Sequence, residues 1–339
     1  LQVIDEEKEK NINIWMTYKI LMFSFKRDIN KPIYISANVI GGLGNQLFQI
    51  FTTIAYGIEH NRKIIFPYNK YGTEGCTNRP TYWSPDSFLC NLFLFTTEFA
   101  PNQYTNEMLR SFPVYTDEKF EYKKIPHFGE EHVYLSGYFQ SYKYFHEKLP
   151  NILGLMRFSQ IRDKVLAEFP SYISNTGSSE NIHICMHFRY GDYKNLPNHH
   201  PILPYEYYET ALDDAIDTWN TNNETKRKKK RLLYFCEYED IAIIENHIRR
   251  LKSRFENENI EYIRVGEEVE DWKQMVLMTA CDAHIIANST FSWWGAYLSD
   301  KSKPSIVYYP SKWFGRAYNE HDTKDLFPPE WFRIDIHYI

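Results

Sequence analysis

Three short stretches concentrate side chains that could do chemistry. The first, "GGLGNQLFQ" (Gly41 to Gln49), removes side chains at Gly41, Gly42 and Gly44 and then offers the amides of Asn45 and Gln46. Missing Cβ atoms let another group approach the backbone. A tight strand-to-helix turn needs one or two glycines; three of them with two amides leave both a turn and a ligand contact open. The second, "HFRYGDYK" (His187 to Lys194), directly follows an apolar run. In extended geometry His187, Arg189 and Gly191 share one face. Arg189 would then project from a strand tip, where a guanidinium can take phosphate oxygens in pairs. The same residues could instead close the loop as an Arg189–Asp192 ion pair. The third, "ANSTFSWWGAYL" (Ala287 to Leu298), ends a strand and starts a helix. Asn288 or Ser289 can cap it, and its first turn sets Ser289, Thr290 and Ser292 beside free amide N–H groups, an anion site. Trp293 and Trp294 are expected to pack that helix onto the sheet.

An arginine and a helix start converging in one cleft suit a diphosphate. Many sugar-nucleotide enzymes hold a diphosphate through a metal bound to Asp-x-Asp. The chain contains no Asp-x-Asp, so the charge compensation is expected from the protein, with no metal or other cofactor. The glycine spacing is not GxGxxG and no Walker lysine follows, which argues against a nicotinamide or P-loop site. The set fits a metal-independent, two-domain glycosyltransferase; a carbohydrate-binding protein without turnover is the rival from another class.

The elements that must position these residues read as α/β. "IYISANVI" is a strand, "NQLFQIFTTIAYGIEH" a helix with apolar residues at helical spacing, and "KIIFPY" the next strand. Residues 68 to 130 read as loops and short helices. "HVYLSG" is a strand and "ILGLMRFSQIRDKVLAEF" one helix. "PSYISNTGSSEN" (Pro170 to Asn181) reads as a linker. Beyond it, strands "IHICMHF", "LLYFCE", "EYIRVG", "AHIIA" and "PSIVYY" alternate with helices, without a hairpin signal. That alternation predicts doubly wound parallel sheets. The expected division is an extension over 1–32, an N-terminal α/β domain over 33–175 and a C-terminal Rossmann-like domain over 176–339. Two such halves place a cleft between them, facing strand C-termini. The basic run Lys226 to Arg231 reads as a solvated surface loop.

Composition sets the outer limits. The chain has 339 residues, is 43% hydrophobic and 24% charged, and carries a net charge of −5. A slightly acidic protein lacks the basic face that nucleic acid demands. Five cysteines lie scattered without a CxxC pair, which gives neither a disulfide framework nor zinc spacing. No run of about 18 apolar residues occurs; "INIWMTYKILMFSF" (Ile12 to Phe25) is interrupted by Lys19 and reads as an amphipathic surface helix. The chain begins with Leu, which leaves a removed upstream anchor or domain open.

The three stretches together, in this order and spacing, resemble the α-1,2-fucosyltransferases of glycosyltransferase family 11, the group of the blood-group H enzymes and bacterial relatives. "TYWSPDSFL", "GYFQSYKYF" and "DLFPPEW" extend the resemblance over about Ile33 to Trp331. It implies a GT-B-like fold of two Rossmann-like domains, GDP-fucose as donor, no metal, and inverting transfer to the 2-hydroxyl of a galactose-containing glycan. It implies that Arg189 binds the β-phosphate, that Asn45 approaches the donor from the opposite domain, and that Thr290, Phe291 and Ser292 contact phosphates. Gly41, Gly42, Gly44, Gln46, His187, Asn288 and Ser289 complete the expected donor site. Asp192 is expected either as general base or as the group that orients Arg189. The family usually has a second arginine where this chain has Tyr190, and Lys194 is the nearby base that could compensate. Animal relatives are Golgi type II membrane proteins and bacterial ones are cytoplasmic; the sequence without a span reads as the latter, unless an anchor preceded it.

Overall fold

The computed structural model describes residues 32–69, 80–99, 104–173, 181–222, 224–300 and 305–336. The charged opening segment, the 12–25 helix, most of the 170–181 linker and the 175/176 domain boundary lie outside these residues. The described chain builds two parallel sheets, the α/β architecture expected. The first has the order β2-β1-β4-β3. Its strands are β1 (Tyr34–Ala37), β2 (Lys63–Ile64), β3 (Val114–Thr116) and β4 (Val133–Ser136). Helix α1 (Leu43–Glu59) joins β1 to β2, and the short α2 (Asn106–Arg110) precedes β3.

Helices α3 (Leu149–Met156) and α4 (Phe158–Glu168) lead toward the second sheet. That sheet runs β5 (Asn181–His187), α5 (Tyr205–Asn220), β6 (Lys229–Phe235), α6 (Ile241–Arg254), β7 (Ile260–Arg264), α7 (Asp271–Met278), β8 (Ala283–Ile285), α8 (Thr290–Tyr297), β9 (Ile306–Pro310) and β10 (Phe332–Ile334). Its strand order is β10-β9-β8-β5-β6-β7. The chain starts in the centre, winds outward to β7 and returns to the other side of β5. The switch point therefore lies between β5 and β8, where ligands bind doubly wound sheets. All six residues of β5 after Asn181 are buried, because helices cover both faces of the sheet.

Three expectations are corrected. Residues 152–169 are not one helix: Arg157 adopts φ +52° and separates α3 from α4. Strand β3 was hidden because it is a three-residue edge strand whose Val114 and Thr116 face solvent. The basic run is not wholly a solvated loop, since Lys229, Lys230 and Arg231 belong to β6. Lys230 is buried beside Glu258 at 3.4 Å. Arg231 pairs with Glu261 at 3.2 Å and donates to the carbonyls of Tyr172 (3.0 Å) and Ser171 (2.8 Å). These bonds satisfy charges that burial would otherwise penalise.

The tryptophan pair also departs from expectation. Trp293 and Trp294 pack α8 against α1, the helix that carries the glycine turn. Their rings lie 4.6 Å from Phe48 and 4.6 Å from Phe51, respectively. The indole of Trp294 donates to the Gly44 carbonyl at 2.8 Å. One apolar core consequently runs through both sheets' helices, while a second lies under α5 and α6. Among the described residues no helix is long and apolar enough to cross a membrane.

Candidate functional site

The site assembles at the C-terminal edge of the second sheet. β5 ends at His187 and delivers Arg189; β6 ends at Phe235 and delivers Glu237; β8 ends at Ile285 and delivers Asn288 and Ser289. Ser289 takes the extended N-cap conformation, and its hydroxyl accepts the Phe291 N–H at 3.3 Å. A serine there frees the helix start from an unsatisfied donor.

The glycine turn reaches this helix start directly. A Cβ on Gly44 would lie 2.5 Å from the Thr290 carbonyl carbon and 2.6 Å from its hydroxyl. Gly41 has φ +81°, which positions its backbone against the Asn45 side chain. The Thr290 hydroxyl donates to Asn45 Oδ1 at 2.9 Å, and Gln140 Nε2 donates to the same oxygen at 3.0 Å. Among the described residues the Asn45 Nδ2 hydrogens meet no acceptor, which leaves a donor at the junction of the two halves. Gln46 does not share that freedom: it is buried, and its amide donates to the carbonyls of Gly41 and Pro80 at 3.0 and 2.9 Å. Gly42 stands in open space.

Arg189 is held by three neighbours. Its guanidinium forms ion pairs with Asp192 and Glu237 and sits 4.9 Å above the Tyr193 ring. The Tyr193 hydroxyl donates to the Asn288 carbonyl at 3.1 Å, which ties the arginine loop to the α8 motif. His187 Nδ1 lies 2.9 Å from the Ser292 hydroxyl. Burial first, and the nearby Arg189 charge second, push the His187 pKa down to about 3, so the imidazole is neutral at pH 7. Asn288 is buried; its amide donates to the carbonyls of Pro201 (2.9 Å) and Trp313 (3.3 Å). Gly41, Gly42, Asn45, Arg189, Thr290 and Phe291 are all only half-buried and line this junction.

Tyr190 points away from the site. Alternation along the strand sends it into the second core with Phe188, where its hydroxyl lies 2.9 Å from His247 Nε2. Lys194 is bound to Asp240 at 2.6 Å and Glu239 at 3.2 Å. It anchors the loop rather than standing in for a second arginine. Asp240 also accepts the Gly191 N–H at 2.7 Å. Glu237, Glu239 and Asp240 are close enough to ligate a metal. Arg189 already pairs with Glu237, and Lys194 with Glu239 and Asp240, so all three carboxylates stand in ion pairs.

Several residues of the site carry no motif. Gln140 lies inside "GYFQSYKYF" and becomes visible only when Asn45 folds beside it. Glu237 and Asp240 depend on β6 pairing with β5. Asp117 follows β3 in a stretch with no readable pattern. Its carboxylate accepts the Phe139 N–H at 2.9 Å and the Tyr144 hydroxyl at 3.5 Å. Burial raises its pKa to about 6. Phe139 immediately precedes Gln140, whose side chain binds Asn45.

The model of "Glycosyl transferase family 11" matches residues 83–335. An alpha-1,2-colitosyltransferase of Escherichia coli is 26% identical over 314 residues, covering 89% of this chain and 99% of that protein. The galactoside alpha-(1,2)-fucosyltransferase 2 of Sus scrofa is 23% identical over 305 residues, covering 88% and 79%. Among solved structures, a mutant of Arabidopsis thaliana FUT1 in complex with GDP aligns with a TM-score of 0.46 at 13% identity, covering 90% of this chain and 78% of that one. The resemblance read from the three motifs is thereby borne out.

Proposed function

Given that the chain belongs to glycosyl transferase family 11, we propose that it transfers L-fucose from GDP-β-L-fucose to the 2-hydroxyl of a galactose, or a similar sugar, in a glycan. In this reading the second sheet holds the nucleotide sugar and the first carries the acceptor side. Transfer inverts the anomeric carbon and uses no metal. The observation that carries it is the convergence of Arg189 and the α8 start at the β5/β8 switch point. As the sugar–phosphate bond breaks, charge grows on the diphosphate. In this reading Arg189 and the α8 start meet that charge, and a donor of this kind contributes about 3–4 kcal/mol. The Asn45 amide reaches the sugar from the first sheet.

The ion pair with Arg189 supports an orienting role for Asp192. Proton removal from the acceptor hydroxyl then falls to another carboxylate; we place it on Asp117, which holds the Phe139 N–H next to the Gln140 that binds Asn45 and whose pKa burial raises toward the operating pH. Incubation with GDP-fucose and galactose-terminated acceptors, followed by product linkage analysis, tests the reading. Release of GDP no greater than background would reject it and favour a binding protein. A second reading keeps the 1,2-transfer and changes the donor: the relative matched over 99% of its length is named a colitosyltransferase. Parallel assays with fucosyl and colitosyl donors separate the two.

A further inference from the structure

The stretch "DLFPPEW" (Asp325 to Trp331) supplies nothing to the site described above. Pro328 and Pro329 restrict its backbone, and its side chains bind it to the second half. Phe327 stacks on Tyr309 at 3.8 Å, and Trp331 lies 5.6 Å from Trp293. The Leu326 carbonyl accepts the Trp293 indole N–H at 3.1 Å. The stretch is thereby fixed to α8.

Asp325 reaches from this bracket to the first half. It is buried, and its carboxylate accepts the Tyr122 N–H at 3.1 Å and pairs with the Lys143 ammonium. Its carbonyl accepts the hydroxyl of the buried Ser141 at 2.5 Å. Ser141 directly follows Gln140, whose amide donates to Asn45 Oδ1 at 3.0 Å. The same oxygen accepts the Thr290 hydroxyl at 2.9 Å. The contacts close a ring. It leaves α8 at Thr290, passes through Asn45, Gln140, Ser141, Asp325 and Leu326, and returns to α8 at Trp293. Each member is held from two sides, which rigidifies a buried network more than one bond would. We propose that Ser141 and Asp325 are positioning residues: they clasp the Gln140 loop to the second half and so keep the Asn45 amide in one orientation. Their effect on turnover rests on the transferase reading above, in which Asn45 reaches the sugar; the ring itself does not.

Ser141→Ala removes the hydroxyl with little change of shape, and Asp325→Asn removes the charge that Lys143 meets. Each is combined with Asn45→Ala. Either single variant should lower kcat by about tenfold or more, while GDP affinity by calorimetry stays at the wild-type level. Either double variant should be no slower than Asn45→Ala alone, because residues that act through one another do not add. An unchanged kcat in both single variants, losses that multiply, or equal falls in kcat and GDP affinity would overturn the proposal. If one of the two variants fails to fold, the other carries the comparison. Failure of the transferase reading would appear separately, as no GDP release by wild-type protein with any acceptor. Urea unfolding then decides: the midpoint of each double variant should fall by less than the sum of the single shifts, and additive shifts would overturn the ring.

Discussion

The side chains of Asn45 and Thr290, 245 residues apart, share a hydrogen bond of 2.9 Å, and the Gly44 backbone lies against the same threonine. The glycine turn thus docks onto the helix start of the opposite half. Gly44→Ala should separate these elements, because the added methyl meets main-chain atoms that cannot swing aside. The expected cost is about 1–3 kcal/mol, as for other overpacked sites. Gly42→Ala, with nothing within 4 Å, should stay near wild-type stability. Urea denaturation of both variants decides this, and equal midpoints would contradict the docking argument.

Arg189→Ala removes the guanidinium assigned to the leaving diphosphate. Turnover should fall about 10²-fold or more, with circular dichroism still reporting a folded protein. Near-normal transfer would reject the role.

Asp117→Asn tests the base. The wild-type rate should decline below about pH 6, where the carboxylate protonates. The variant should be slower by about 10²-fold or more and should lack that limb. Stability moves the other way. The folded carboxyl binds its proton more tightly than the unfolded one, so wild-type protein loses stability as pH rises from about 4 to about 6. The variant should lose that dependence in equilibrium unfolding.

His187 gives the opposite sign. Its folded pKa of about 3 lies below the ordinary 6.5, so the unfolded chain takes up the proton first. Its contribution is fully present above about pH 6.5 and is lost as pH falls toward 3. His187→Asn should flatten this part of the stability profile, measured by urea unfolding across pH.

Treatment with EDTA should leave the transfer rate unchanged if, as proposed, Arg189 and the α8 start meet the diphosphate charge. A strong loss, restored by Mg²⁺, would assign that charge to a cation.

Much of this arrangement was readable beforehand, for identifiable reasons. The inner strands of the second sheet were clear because β5, β6 and β8 are buried and its helices keep an apolar period, while the three-residue edge strand β10, with Phe332 and Arg333 exposed, stayed hidden. Arg189, Asn288 and Ser289 could be placed because strand ends in such sheets converge. What stayed hidden depends on tertiary pairing. Nothing local marks Glu237 as a partner of Arg189, or Gln140 as a partner of Asn45. Arg157 breaks a helix that its neighbours would continue. The glycine stretch by itself leaves a turn and a ligand contact both open, whereas Gly44 makes room for Thr290; only the packing of α8 on α1 reveals that.

That packing limits how the molecule can move. Swinging the two sheets apart like a jaw would bring Trp293, Trp294, Phe48 and Phe51 into water, and an extensive apolar seam of this kind resists such motion. Nucleotide traffic would then pass along the flank of the seam, and any closure over substrates would come from bending loops while the frame stays rigid.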